Sequence, residues 1–317
     1  MTLLRRDFTI DLRRLRVLRE LEQRGTVAAT ATALHLTPSA VSQQLAGLSR
    51  EVGVPLLQKH GRGVRLTGQA RVLLSHAVVV HEQLERARAD LAAWDEGAIG
   101  EVRVGALSTG VTSLVAPAFA RLAVERPGIS MKIEESEPPK VFTALDVGDL
   151  DVVVSSDYPD GPPRRDPRYH RVDLLADPLD AVLRTGDPLA GDGGLRLETL
   201  AAEPWVGSDA GDPCSQILQA VCAAAGFSPD IAHRCAEWGA VASLVAAGCG
   251  VALIPRLAQP LPVDGVVVCP VVGSPATRQI FAAVRAGAQF DPVVAAVLDT
   301  LTTVANEREA SSGEACR

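Results

Sequence analysis

This 317-residue chain is poor in several things, and each shortage excludes something. Aromatic residues are 3 % of it, with two tyrosines, six phenylalanines and three tryptophans, so a pocket walled by aromatic rings is not expected. No run of about 18 apolar residues occurs, and the opening MTLLRRDFTI lacks the apolar core of a signal peptide. The expected location is therefore the cytoplasm, with no membrane association. Cysteine is missing from the first 213 residues; the six present are Cys214, Cys222, Cys235, Cys249, Cys269 and Cys316. None forms a CxxC pair or stands beside a histidine at metal-ligand spacing, so they are expected to be small buried apolar residues in a reducing compartment. Catalytic signatures are missing as well. There is no GxSxG, HExxH or phosphate-loop motif, and Gly105-Ala-Leu-Ser-Thr-Gly110 fits none of them. The six histidines (His35, His60, His76, His81, His170, His233) fall at no spacing that suggests a ligand set. The expectation is a protein that is not an enzyme and holds neither metal nor cofactor.

What is present is organised along the chain. The net charge of −7 conceals 14 Lys+Arg against 9 Asp+Glu in residues 1–95, and 17 against 29 thereafter. Only the N-terminal piece, at +5, is suited to a polyanion. There, Leu12, Leu15, Leu18 and Leu21 recur as on a helix with one buried stripe, ending at Gly25. Thr26 can cap a second helix from Val27 to about Leu34, and His35-Leu36 form a short turn. Thr37 caps a third, with Pro38 at its first position, running to about Val52. Two capped helices across so short a turn make a helix-turn-helix. The stretch from Val54 to Leu66, bending around Gly61 and Gly63, predicts a hairpin wing carrying Lys59, Arg62 and Arg65.

On the third helix Ala40, Val41, Leu45 and Leu48 face inward, which leaves Ser39, Ser42, Gln43 and Gln44 outward near its start. Short hydroxyls and amides there suit base edges and phosphates of a major groove, and the basic wing suits phosphates alone. A solvated helix with polar residues outside is the plainer reading of any one of these positions. Their coincidence with caps, wing and positive charge favours double-stranded DNA as partner. From Gly68 to about Trp94 a long helix presents Leu73, Val80 and Leu84, with Val72 and Leu91, on one side; a partner chain is the expected cover.

After Gly97-Ala-Ile-Gly100 strand-like runs (Val102–Ala106, Met131–Glu134, Val152–Ser155, Asp180–Arg184, Val266–Val271, Ile280–Arg285) alternate with helical ones (Val111–Val124, Pro139–Val147, Cys214–Ala225, Trp238–Ala247, Pro292–Val304). The alternation predicts an α/β architecture with a parallel sheet.

Residues 12–70, with Leu36-Thr37-Pro38-Ser39-Ala40-Val41-Ser42-Gln43-Gln44-Leu45 at the third helix and Arg62-Gly63-Val64-Arg65-Leu66-Thr67 at the wing, resemble the DNA-binding domain of LysR-type transcription regulators. Glu125-Arg126-Pro127-Gly128 and Val147-Gly148-Asp149-Leu150-Asp151 extend the resemblance to the C-terminal part. Thr30, Gly47, Ser49 and Gly68-Gln69-Ala70 depart from the family pattern, and Gly47 should cost its helix up to about 1 kcal/mol against alanine.

The resemblance implies a winged helix-turn-helix over 1–67, a dimerisation helix over 68–96, and an effector-binding domain of periplasmic-binding-protein type over 97–305. Its lobe I would hold about 101–171 and 272–305, its lobe II about 172–271, and 306–317 would be a flexible tail. A small-molecule effector would lie in the cleft between the lobes, at strand C-termini and helix N-termini. Ser108 and Thr109 there are expected to cradle a carboxylate. Ser155, Ser156, Ser208, Asp209 and Trp238 are further candidates, although each is also an ordinary cap or turn residue. The family further implies a homodimer through the linker helices, a homotetramer, an interrupted palindromic operator and contact with RNA polymerase.

Two other readings stay open. Cys214 and Cys222 lie roughly where peroxide-sensing members carry a reactive pair, which would make the chain a thiol-based redox regulator; eight residues of helix, about 12 Å, separate them. The chain could instead be a cytoplasmic solute-binding protein with an unrelated N-terminal appendage.

Overall fold

A computed structural model of the chain describes residues 10–60, 63–92, 99–190, 193–259, 263–273 and 276–314. It divides into two compact units, one of residues up to 94 with 285–291, the other of residues 95–284 with 292 onward.

In the first unit α1 (Leu12–Arg24) begins at Asp11, whose side chain accepts the Arg13 N–H, and ends at Gly25 with φ 71°. Thr26 caps α2 (Val27–Ala33) and Thr37 caps α3 (Pro38–Val52), as the residue order predicts. Leu18, Val41, Leu45, Leu48 and Leu56 are at most 1 % exposed and form the core of the three helices. The wing is the antiparallel pair β1 (Leu57–His60) and β2 (Gly63–Leu66), and α4 (Gly68–Ala92) follows. The tip residues Gly61 and Arg62 and the expected end of α4 at Trp94 lie outside the described residues. Gly47 is buried, and a Cβ there would come within 2.6 Å of the Arg14 Nη1. The glycine thus gives Arg14 of α1 room to cross α3 and pair with Glu51, an arrangement that offsets its low helix propensity. The departure at Thr30 is absorbed too: its hydroxyl is buried but donates to the Thr26 carbonyl at 2.8 Å.

In the second unit lobe I contains β3 (Gly100–Ala106), a helical run, β4 (Ile129–Glu135), α7 (Lys140–Val147) and β5 (Val152–Ser156). The helical run comprises α5 (Ser108–Gly110), a π turn at Val111–Val115 and α6 (Ala116–Glu125). Gly105 has no alternative in β3, since a Cβ would collide with Leu150 and Val141. The chain then enters β6 (Tyr169–Arg184), a 16-residue strand that carries it from lobe I to lobe II. Lobe II is built from β7 (Leu195–Arg196), β8 (Pro204–Gly207), α8 (Pro213–Ala224), β9 (Asp230–Arg234), α9 (Trp238–Ala246), β10 (Ala252–Pro255), β11 (Val266–Cys269) and β12 (Val271–Val272). Its core gathers Leu183, Leu197, Leu200 and Trp205, whose indole N–H donates to the Leu200 carbonyl at 3.2 Å. The chain returns through β13 (Thr277–Arg285) and ends in α10 (Pro292–Glu314).

The main sheet runs β10-β6-β13-β5-β3-β4, with β11 also on β6. Only β4, β3 and β5 are mutually parallel; β13 is antiparallel to β5, and β10 and β11 are antiparallel to β6. The expected parallel sheet is therefore corrected to a mixed one. The cause is the double crossing: a strand returning to lobe I enters the sheet from the opposite end. The expected tail needs correcting as well, because α10 runs past Val304 to Glu314. Ala305 is fully buried, Glu307 pairs with Arg121 at 2.9 Å, and the Glu309 carboxylate accepts the Ala176 N–H at 3.3 Å. Residues 315–317 of that tail lie outside the described residues.

Candidate functional site

On α3 the residues Ser39, Ser42 and Gln43 are exposed and Gln44 is half-buried, so the outward set read from the sequence is presented together. Thr37 and Pro38 are exposed but serve the helix start: the Thr37 hydroxyl accepts the Ala40 N–H at 3.2 Å. Ser42 donates its hydroxyl to the Pro38 carbonyl at 2.9 Å, leaving its oxygen lone pairs outward. Arg50 continues the exposed stripe two turns on from Ser42 and Gln43. Its place at i+7 from Gln43 was a legible signal that the sequence reading did not use. In the wing, register sets Gln58 opposite Arg65 and Lys59 opposite Val64. Leu57, Leu66 and Val64 pack on the core, so Arg65 with Gln58 takes the outer face and Lys59 the other. Lys59 and Arg65 are both exposed but do not share a face; Arg62 lies outside the described residues.

The second site is the cleft of the two-lobed unit, a cavity of about 80 Å³. Ser108, Thr109, Ser208 and Trp238 line it, joined by Glu137, Asp212, Cys214 and Arg278, which the sequence reading did not name as effector contacts. Arg278 was hidden because it opens a strand 169 residues from the Thr109 it touches. Its Nη2 donates to the Thr109 hydroxyl at 2.7 Å and its Nε to Asp177 at 2.9 Å, with Arg278 and Asp177 side chains only 4 % and 1 % exposed. Asp177 also accepts the Leu257 N–H at 3.0 Å. The Ser113 hydroxyl, in the π turn, donates to the Leu257 carbonyl at 3.1 Å, so a residue of each lobe and both crossing strands meet here.

The carboxylate cradle expected at Ser108 and Thr109 is already filled by the chain itself. The Ser108 N–H donates to Glu137 Oε1 at 3.3 Å, and Thr109 is held by Arg278. Glu137 reaches solvent in the cleft, yet crowding by the protein raises its carboxyl pKa, the Ser108 N–H and Arg278 oppose this, and Asp212 adds to it. Asp212 caps α8, its Oδ1 accepting the Cys214 N–H at 2.7 Å and the Ser208 hydroxyl at 3.2 Å. Asp209, three residues before it, is exposed and lies outside the cleft wall. Ser155 and Ser156 do not line the cleft either: β13 pairs alongside, setting Ser155 against Phe281 and Ser156 against Ile280, and both are buried. Cys214 is half-buried in the wall, and burial together with Asp212 and Glu137 pushes its thiol up to about 12 against the attraction of Arg278. Among the described residues no group of three or more His, Cys, Asp or Glu could hold a metal ion, and no helix is long and apolar enough to cross a membrane.

A winged helix-turn-helix followed by a two-lobed α/β domain with a polar cleft defines a ligand-responsive DNA-binding regulator. Residues 12–71 match the bacterial regulatory helix-turn-helix protein, lysR family, and residues 95–306 match the LysR substrate binding domain. The chain belongs to the LysR family of transcription regulators, so its N-terminal unit is the family's DNA-binding domain and not an appendage to a solute-binding protein. Among curated relatives, the "Probable HTH-type transcriptional regulator LrrA" of Synechococcus elongatus is 29 % identical over 312 residues, 95 % of this chain and 100 % of that one. The "Probable hydrogen peroxide-inducible genes activator" of Mycobacterium avium is 28 % identical over 248 residues, 78 % of each chain. Among solved structures, full-length CbnR complexed with its target DNA aligns with TM-score 0.56 at 20 % identity over 93 % of this chain and 100 % of that one, a match of fold.

Proposed function

We propose that this regulator reads an interrupted palindromic operator through Ser39, Ser42, Gln43 and Gln44 on α3, with Lys59, Arg62 and Arg65 of the wing on phosphates and Thr37 and Pro38 fixing the helix start. A small molecule in the cleft, against Ser108, Thr109, Ser208 and Trp238, sets its activity. The observation that carries this is the exposed polar stripe at the start of a capped α3, beside a wing with Arg65 on its outer face. The domains are those of the family plan: 1–67 for DNA, 68–96 for dimerisation and 97–305 for the effector. The chain works in the cytoplasm, catalyses no reaction and contacts RNA polymerase from its promoter. Val72, Val79, Val80, Leu84 and Leu91 of α4 are 43 to 73 % exposed, an apolar stripe that supports a homodimer through this helix. Two such dimers form the homotetramer.

Footprinting on the DNA upstream of its own coding sequence, across a salt titration and against shuffled DNA, tests the reading. Protection of an interrupted palindrome, lost with Gln43→Ala and weakened with Arg65→Ala, is the expected result. Equal affinity for shuffled DNA at every salt concentration would overturn it.

The redox alternative draws on Cys214 in the cleft wall and on the peroxide-inducible activator among the relatives. Two features weigh against it. Cys222 is fully buried on the same helix as Cys214, and burial pushes both thiols up to about 12, away from the reactive thiolate.

A further inference from the structure

Resting on the reading of the cleft as the effector site, the charges lining it name a ligand class. Each helix start that faces the cleft, where an anion would ordinarily bind, is occupied by a carboxylate of the chain. Glu137 takes the Ser108 N–H, Asp212 takes the Cys214 N–H, and Glu237 takes the Gly239 and Ala240 N–H groups at 3.0 and 2.7 Å. Of the guanidiniums at the cleft, that of Arg278 is held by Asp177 and Thr109, and that of Arg234 donates to the Ser208 carbonyl at 3.3 Å. Glu137 and Asp212 then remain without an ion-pair partner among the described residues. Glu137 uses one carboxylate oxygen, Oε1, on the Ser108 N–H, while Asp212 accepts the Ser208 hydroxyl and the Cys214 N–H and also bonds the Cys214 thiol, all neutral partners that leave both charges uncompensated. They stand on opposite lobes, near enough for the charge of Asp212 to disfavour that of Glu137.

We propose that the effector is a small organic cation, an ammonium or amidinium on a short apolar body, held between Glu137 of lobe I and Asp212 of lobe II. The cation relieves the repulsion between the two carboxylates and draws the lobes together, which a carboxylate ligand in this cleft would not do. The rest of the wall suits the body of such a molecule: Leu179, Val206, Ile217 and Leu253 are apolar, and Trp238 offers an indole ring that attracts cations. A metal ion is disfavoured by the shortage of donors among the described residues. At about 80 Å³, the cavity suits only a small molecule.

Calorimetric titration of the full chain with n-butylammonium, butyrate and butan-1-ol tests this, the three probes sharing a short alkyl chain and differing chiefly in their polar end. Butylammonium is expected to bind at millimolar concentration, as a ligand of so few atoms can, and to bind about tenfold more weakly or worse to Glu137→Gln and to Asp212→Asn. Asparagine still caps α8, so the second variant retains its fold, checked by circular dichroism. Butyrate or butanol binding as tightly as butylammonium, with loss of that binding in Thr109→Val, would overturn the cation assignment and keep the cleft as the ligand site. Butylammonium binding that neither variant alters, or no saturable binding, also overturns it. If no cleft substitution affects any probe that does bind, the effector reading of the cleft falls with it.

Discussion

Replacing Arg278 by methionine leaves a carboxylate behind in the wall between the lobes. The Asp177 side chain is 1 % exposed, and what remains to it is the Leu257 N–H and the weaker attraction of Arg256. Removing one member of a buried pair costs about 3–5 kcal/mol, because the charge left behind loses its ion-pair partner without regaining water. For a unit of this size each kcal/mol shifts Tm by about 2–4 °C, so Arg278→Met should unfold about 6–20 °C lower. The pH dependence has a definite sign. Burial already holds the Asp177 carboxyl above its ordinary value, against the attraction of Arg278. Without the guanidinium it rises further. A carboxyl raised in the folded state keeps its proton longer there than in the unfolded chain, so stability is greatest below the unfolded pKa and declines as pH rises toward the folded one. The variant's decline extends to higher pH than the parent's, so the gap between them should widen as pH rises above the ordinary carboxylate range. Asp177→Asn in the same chain removes the charge, keeps an acceptor for Leu257 and should recover part of the loss. Thermal unfolding of the full chain followed by circular dichroism at several pH values reads all of this. A gap below about 3 °C, or one that does not change with pH, would refute the reasoning.

Salt titration of operator binding should separate the two kinds of DNA contact: Arg65→Ala reduces the slope of log affinity against log salt by about one, whereas Gln43→Ala leaves the slope and relaxes the preferred sequence. An unchanged slope for Arg65→Ala would place the wing off the phosphates. Gly47→Ala should yield its full gain of about 1 kcal/mol only when Arg14 is also alanine, since Arg14 occupies the space of the new methyl; a double-mutant cycle with no coupling contradicts that packing. Cys214, pushed up to about 12, should resist alkylation at neutral pH and react only in strong alkali; rapid labelling at pH about 7, read by mass spectrometry, would revive the redox reading.

Local chemistry was legible where it acts locally. Thr26 and Thr37 cap the helices whose starts they mark, and Gly25 closes the first, because a cap needs only the residues within one turn of it. The wing's faces were not legible, since register decides that Lys59 and Arg65 point apart. Four short strands of lobe II, β7, β8, β9 and β10, were missed: runs of two to five residues carry too little periodicity to read. The cleft was half legible. Ser108, Thr109, Ser208 and Trp238 sit at helix starts and strand ends, which the alternation of elements reveals. Glu137, Asp212 and Arg278 owe their roles to what they face across the cleft, and Ser155 and Ser156 were misplaced because the return of β13 beside β5 is a long-range event.

That difference bears on how the cleft could work. The two lobes are tied at the crossing by Ser113 to the Leu257 carbonyl and by Asp177 to the Leu257 N–H, with Arg278 linking Asp177 to Thr109. A ligand changes the balance between lobe arrangements only through contacts that differ between them. The Arg278 network is buried and tied to Asp177, Thr109 and Leu257, so it fixes the crossing strands in either arrangement. Glu137 and Asp212, one from each lobe and each bonded only to neutral groups, are where a ligand's binding energy depends on how close the lobes stand. Substitution of Arg278 should therefore lower stability with or without ligand, whereas substitution of Glu137 should lower ligand response while leaving the unliganded chain folded. A Glu137→Gln variant that unfolds well below the parent would place that carboxylate among the supports of the fold and remove it from the ligand's contacts.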